Sequence, residues 1–138
     1  CVRRACSGGI MTLITGGAYS GKTDFAMRRF GLSKTDILDG AECSREQAYS
    51  CRAMKDFHLF VKRFGAENGA GLTEEIYARN PDIIVITNEI GSGIIPMEKD
   101  DRIWREETGR ACCYIAAKSD AVVRMCCGIP AVIKGEIP

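Results

Sequence analysis

The segment Gly16-Gly17-Ala18-Tyr19-Ser20-Gly21-Lys22-Thr23 constrains what this chain can fold into more than any other. It fits G-x-x-x-x-G-K-[ST], a loop whose glycines let the backbone wrap around an anion with its N–H groups turned inward. The pattern works only between a strand and a helix, and both are legible. Residues 11–15 (MTLIT) are short, apolar and β-prone, and residues 22–30 are helix formers stopped by Gly31. In that setting the helix adds the positive end of its dipole to the loop. Lys22 then neutralises β- and γ-phosphates, and the Thr23 hydroxyl ligates Mg²⁺. Gly16, Gly17, Ala18, Tyr19, Ser20, Gly21, Lys22 and Thr23 are therefore the candidate nucleotide-binding residues. The alternative is a glycine-rich turn that happens to precede a lysine.

A phosphate loop of this kind needs a carboxylate at a neighbouring strand end to hold Mg²⁺. Asp39 closes the short run Asp36-Ile37-Leu38-Asp39 and is the first candidate for the metal; as half of an Asp-Gly pair it also reads as an ordinary turn residue. Glu89 is the second. It follows residues 82–87 (DIIVIT), whose continuous apolar character marks a strand buried on both faces, and strand ends of this kind are where α/β sheets bind ligands. Either carboxylate can orient or deprotonate an attacking hydroxyl, and the choice stays open.

The remaining chain reads as further alternation of strand and helix. Residues 35–38 form a brief strand. Ser44 with Gln47 makes a capping box, and Met54, Phe57, Val61 and Phe64 recur at helical spacing, so one amphipathic helix is expected from Ser44 to Phe64. Residues 65–71 are a glycine-rich connection, residues 72–79 a short helix ended by Asn80-Pro81, and residues 88–96 a turn-rich stretch. A helix over residues 100–119 carries Ile103, Trp104, Ala111, Ile115 and Ala116 on one face. Two short strands, 121–127 and 131–134, flank Gly128-Ile129-Pro130. Trp104 reads as core or interface rather than a base-stacking platform. Arg102, Arg105 and Arg110 read equally as phosphate contacts or as a solvated face mixed with Asp101, Glu106 and Glu107. Strands alternating with helices imply an α/β domain with a mostly parallel sheet.

Composition narrows the function classes. With 19 Lys plus Arg against 18 Asp plus Glu, the net charge of +1 speaks against a nucleic-acid-binding tail. No apolar run approaches the ~18 residues of a membrane span, and no signal peptide is evident, so a cytoplasmic protein is expected. The eight cysteines include no C-x-x-C and are expected to be reduced, mostly buried thiols. Residues 1–10 (CVRRACSGGI) read as an arm outside the fold, with Met11 a natural start and residues 11–138 a single domain.

GGAYSGKT, TNEIGSGIIP (residues 87–96), RIWREETGR (102–110), AAKSD (116–120) and GIPAVIK (128–134) together resemble the adenosylcobinamide kinase/adenosylcobinamide-phosphate guanylyltransferase family of cobalamin biosynthesis. The resemblance implies a three-layer P-loop NTPase fold (RecA-like) and two activities: phosphorylation of the aminopropanol hydroxyl of adenosylcobinamide, then transfer of GMP from GTP through a guanylylated histidine. It implies Mg²⁺, GTP or ATP as donor, a corrinoid substrate, and a possible homo-oligomer. It also implies that Gly16 to Thr23 bind the triphosphate and that Asp39 is the family's strand-closing acid. The family's histidine segment, of the form R-I-x-x-H-R-x-x-R-P, is missing, and so is the Asn-Gln that tends to follow Gly-Arg, here Gly109-Arg110-Ala111-Cys112-Cys113. The only histidine, His58, reads either as the nucleophile or as a helix residue at the edge of an apolar face. The shortened middle of the chain is expected to reflect the absent guanylylation segment. The leading expectation is an adenosylcobinamide kinase-like enzyme with the transfer step reduced or lost. A catalytically weak nucleotide-binding regulatory or assembly subunit is the alternative.

Overall fold

A computed structural model describes residues 11–17, 21–64, 68–88 and 99–135, with the side chains of 99–101 excepted. The elements run β1 (Thr12–Gly16), α1 (Lys22–Phe30), a 3₁₀ turn (Lys34–Asp36), β2 (Ile37–Asp39), α2 (Arg45–Ala48) and β3 (Ala53–Lys55). They continue as α3 (Phe57–Phe64), α4 (Gly69–Arg79), β4 (Ile84–Asn88), α5 (Lys99–Lys118), β5 (Ala121–Cys126) and β6 (Ile129–Lys134). The strands form one sheet in the order β2-β3-β4-β1-β5-β6, parallel throughout except for the terminal β5-β6 hairpin.

Successive residues of the central strands face opposite layers, as the two-residue period of a strand requires. Leu13, Val85 and Val122 pack under α3, α4 and α5 with Phe57, Phe60, Val61, Leu72, Ile76, Ala111 and Ile115. Ile14, Ile84, Ile86, Val123 and Met125 pack on the other face against Phe25 and Ala26 of α1. The result is the three-layer α/β arrangement of a P-loop NTPase. Met11 is fastened at the sheet's lower edge, its N–H donating to Asp120 Oδ2 at 3.1 Å and its carbonyl accepting the Asp120 N–H at 2.8 Å. Among the described residues no helix is long and apolar enough to cross a membrane.

The single helix expected from Ser44 to Phe64 is corrected to a helix, a strand and a second helix. The Ser44–Gln47 capping box forms as read, with Gln47 N–H donating to Ser44 Oγ at 3.2 Å and Ser44 N–H to Gln47 Oε1 at 2.9 Å. The helix it starts lasts four residues, however. Asn80 stops it: its amide donates to the carbonyls of Ala48 (3.0 Å) and Cys51 (2.8 Å), turning the chain into β3. Met54 thus lies on a strand, paired with Leu38 and Val85, and is fully buried. Asp56, at φ 54°, breaks strand from helix, a conformation that costs a non-glycine residue about 1–2 kcal/mol. Its carbonyl starts α3 by accepting the N–H groups of Leu59 (2.9 Å) and Phe60 (3.3 Å). The cysteine expectation is met for Cys43, which is buried, and not for Cys113, Cys126 and Cys127, which are exposed on α5 and the β5-β6 hairpin; Cys51 and Cys112 are half-buried. All six are free thiols.

Gly40 holds the turn after β2 against the end of β3. A Cβ there would lie 2.6 Å from the Asp56 carbonyl oxygen and 2.9 Å from that of Lys55, and neither backbone atom can retreat without moving the strand. Gly40→Ala is expected to lower unfolding free energy by about 1–3 kcal/mol, measured by urea denaturation.

Candidate functional site

The strand register fixes the site. Gly16, the last residue of β1, lies opposite Asn88 of β4 on one side and Met125 of β5 on the other. The phosphate loop therefore leaves the sheet at its carboxyl edge with a wall on each flank. Gly21, at φ 85° and ψ 18°, turns the loop into α1 and accepts the Phe25 N–H at 2.9 Å through its carbonyl. A left-handed conformation of this kind is open to glycine at little cost. Residues 18–20 of the motif, Ala18, Tyr19 and Ser20, lie outside the described residues.

Lys22 opens α1 and is buried, and its ammonium donates to the Gly17 carbonyl at 2.7 Å. A buried ammonium must be paired, so the loop supplies part of the lysine's solvation from its own backbone. Thr23, in the first turn, is half-buried.

His58, on α3, is 6% exposed and lies within electrostatic reach of both Lys22 and Asp56. The Asn88 N–H donates to its Nδ1 at 3.3 Å, which places the neutral ring's proton on Nε2. Its carbonyl accepts the Trp104 indole N–H at 2.7 Å, and the two rings stack at 6.2 Å between centroids. The Lys62 ammonium caps the outer face of the indole 4.6 Å from the ring centre. Trp104 is thus packing, as read from its spacing. Burial, above all, pushes the His58 imidazolium below its ordinary pKa; the Asp56 carboxylate opposes this shift and the Lys22 ammonium reinforces it.

Asp39 is not brought to the loop. It ends β2, with β3 and β4 between it and β1. Three strand spacings of roughly 4.8 Å put it about 14 Å from the strand that carries the loop. Its carboxylate accepts the Ala41 N–H at 2.9 Å, and its carbonyl accepts the N–H groups of Glu42 and Cys43, so it is held as a turn residue. Among the described residues, Asp56 lies nearer: it directly follows β3, one strand closer to β1 than Asp39. Among the described residues its side chain takes no hydrogen bond and no ion pair, and its backbone is strained. A half-buried, uncommitted carboxylate on a strained residue is a frequent mark of a functional site. In the sequence Asp56 carries little signal, because it falls within the helical spacing that runs from Met54 to Phe64. Glu89 follows directly on Asn88 and lies outside the described residues. Arg110 pairs with Glu107 at 3.1 Å on the face of α5, as the mixed-face reading allows.

The family model described as cobinamide kinase / cobinamide phosphate guanyltransferase matches residues 50–133, about three fifths of the chain. The match begins after the phosphate loop and spans β3 to β6, so loop and match are separate lines of argument that converge on one sheet edge. Comparison with curated proteins gives no match.

His58 titrates lower in the folded chain than in the unfolded one, so the unfolded state binds more protons as pH drops past the ordinary histidine range and stability must fall there. Thermal midpoints are expected to decline from pH 7 to 5.5, above the range where carboxylates titrate. In His58→Gln that decline is expected to flatten.

Proposed function

The chain belongs to the cobinamide kinase / cobinamide phosphate guanyltransferase family, and from that premise we propose that it transfers the γ-phosphate of GTP or ATP to the aminopropanol hydroxyl of adenosylcobinamide. The family is one of P-loop nucleotide-dependent transferases of cobalamin biosynthesis. The observation that carries the kinase reading is the convergence of a buried lysine from the loop and an unpaired carboxylate from β3 on the same buried ring.

In this reading Lys22 exchanges the Gly17 carbonyl for the β- and γ-phosphates, while the loop amides and the start of α1 cradle the rest. The oxygen donors Thr23 and Asp56 suit Mg²⁺, which prefers oxygen ligands, and the bound ion would neutralise charge on the phosphates. Phosphoryl transfer relies mainly on positioning and electrostatics. Glu89, the next residue in sequence after β4, is the carboxylate proposed to orient the attacking hydroxyl; Asp39 remains a turn residue. Guanylyl transfer lacks its carrier. A histidine nucleophile needs an accessible nitrogen near the phosphates, whereas His58 is buried with Nδ1 engaged by Asn88.

Purified protein incubated with Mg²⁺, adenosylcobinamide and each triphosphate is expected to yield a phosphorylated corrinoid, detected by mass spectrometry. Lys22→Ala and Asp56→Asn are each expected to cost on the order of 100-fold or more in kcat/KM, whereas Asp39→Asn stays within about threefold of wild type, as for a surface turn. Absence of product from wild type would leave the weak nucleotide-binding subunit as the better reading.

A further inference from the structure

The His58 ring is fixed from more than one side. The Asn88 N–H donates to Nδ1 at 3.3 Å, the Trp104 ring stacks on the imidazole at 6.2 Å between centroids, and the His58 carbonyl accepts the Trp104 indole N–H at 2.7 Å. Asn88 is also the residue that lies level with Gly16. The ring therefore stands on the end of β4, one strand spacing of roughly 4.8 Å from the strand end that launches the phosphate loop. The Lys22 ammonium is near enough to act on it electrostatically.

One polar group of this ring is left unengaged. With Nδ1 accepting, the neutral imidazole carries its proton on Nε2, and among the described residues nothing accepts that N–H. Among the same residues only Thr108 Oγ1 is both sealed from solvent and unpartnered. Nε2 therefore lies at the narrow accessible edge of the ring, a fixed donor on a side chain that is 6% exposed. Polar groups on buried side chains are normally paired. An oriented donor without a partner, next to a phosphate loop, points to an acceptor that arrives with the ligand.

Phosphate oxygens are acceptors of this kind. A phosphate enclosed by loop amides and Lys22 leaves the next one projecting past the loop, over the strand ends. β4, which carries the ring, and Asp56, which follows β3, both lie on one side of β1. We infer that His58 reads the terminal phosphate of a bound nucleoside triphosphate, its Nε2–H donating to a γ-phosphate oxygen alongside the Lys22 ammonium. A neutral donor suits this place, because a second cation beside Lys22 would be repelled. The same tautomer makes the ring a binder and not a carrier. Nε2 has no lone pair with which to attack phosphorus, and the lone pair of Nδ1 is taken by Asn88. The inference deepens the kinase reading and rests on its nucleotide site.

His58 is the only histidine in the chain, so histidine-selective ¹⁵N labelling of the full protein reports this ring alone by NMR. Saturating Mg²⁺ with a non-hydrolysable GTP or ATP analogue is expected to move the Nε2–H proton downfield and to slow its exchange with water. The matching diphosphate is expected to do neither. Calorimetry supplies a second readout. His58→Asn keeps an oxygen near the place of Nδ1, for the Asn88 N–H, and removes the Nε2 donor; it is expected to lose about tenfold or more in triphosphate affinity and to bind the diphosphate as wild type does. His58→Gln gives up the Asn88 contact but returns an amide N–H near the place of Nε2, and is expected to recover most of that loss. A packing role alone predicts the reverse order of the two variants. An Nε2–H resonance indifferent to bound triphosphate, or an equal loss of di- and triphosphate affinity in His58→Asn, overturns the inference and leaves the kinase reading standing. Failure of the wild-type chain to bind either triphosphate analogue overturns the two together.

Discussion

The pairing of β1 with β4 on one side and β5 on the other is the constraint on which the site depends. Because the register places Gly16 level with Asn88 and with Met125, the loop that follows must emerge between the ends of two parallel strands. Everything chemical is then arranged by distance from that point. Asn88 fixes the His58 ring, the ring packs on Trp104 of α5, and α3 begins at the strained Asp56. On the far side the hairpin turn comes to rest against Gly21. A sheet of this order leaves little freedom in what each flank can do.

The buried pair of cation and ring has an energetic logic. Lys22 is charged and enclosed, which is costly unless its hydrogen bonds are supplied; the Gly17 carbonyl meets part of that need. The same lysine works against protonation of His58, since two cations in one enclosed space repel. A neutral His58 is what its structural role requires, because Nδ1 must accept from Asn88. The ring and the lysine are therefore compatible only while the histidine remains uncharged. This is a different task from carrying a guanylyl group, and the imidazole's enclosure fits it.

The fold was legible wherever the sequence carried a strong local pattern. The strand and helix that flank the glycine motif, the apolar run ending in β4, the long α5 and the terminal hairpin all formed close to where their composition placed them. The region from Ser44 to Phe64 was not. Met54 falls at helical spacing from Phe57, Val61 and Phe64, so periodicity extended a helix across a three-residue strand. That strand is too short to show alternation, and it is stabilised by its neighbours β2 and β4 and by Asn80, which is distant in sequence. Asp56 is hidden in the sequence for the same reason. Asp39 and Asp56 both precede a turn or helix, and only strand order reveals which lies nearer the loop.

The site is proposed to move the γ-phosphate of the triphosphate and not the nucleotide. The most direct measurement is label transfer: incubation of the protein with Mg²⁺, adenosylcobinamide and GTP labelled in either the γ- or the α-phosphate, followed by separation of the corrinoids. The arrangement of Lys22, Asp56 and His58 predicts label in the corrinoid from γ-labelled GTP alone. Label from α-labelled GTP, whether in the corrinoid or held on the protein through His58, would contradict it.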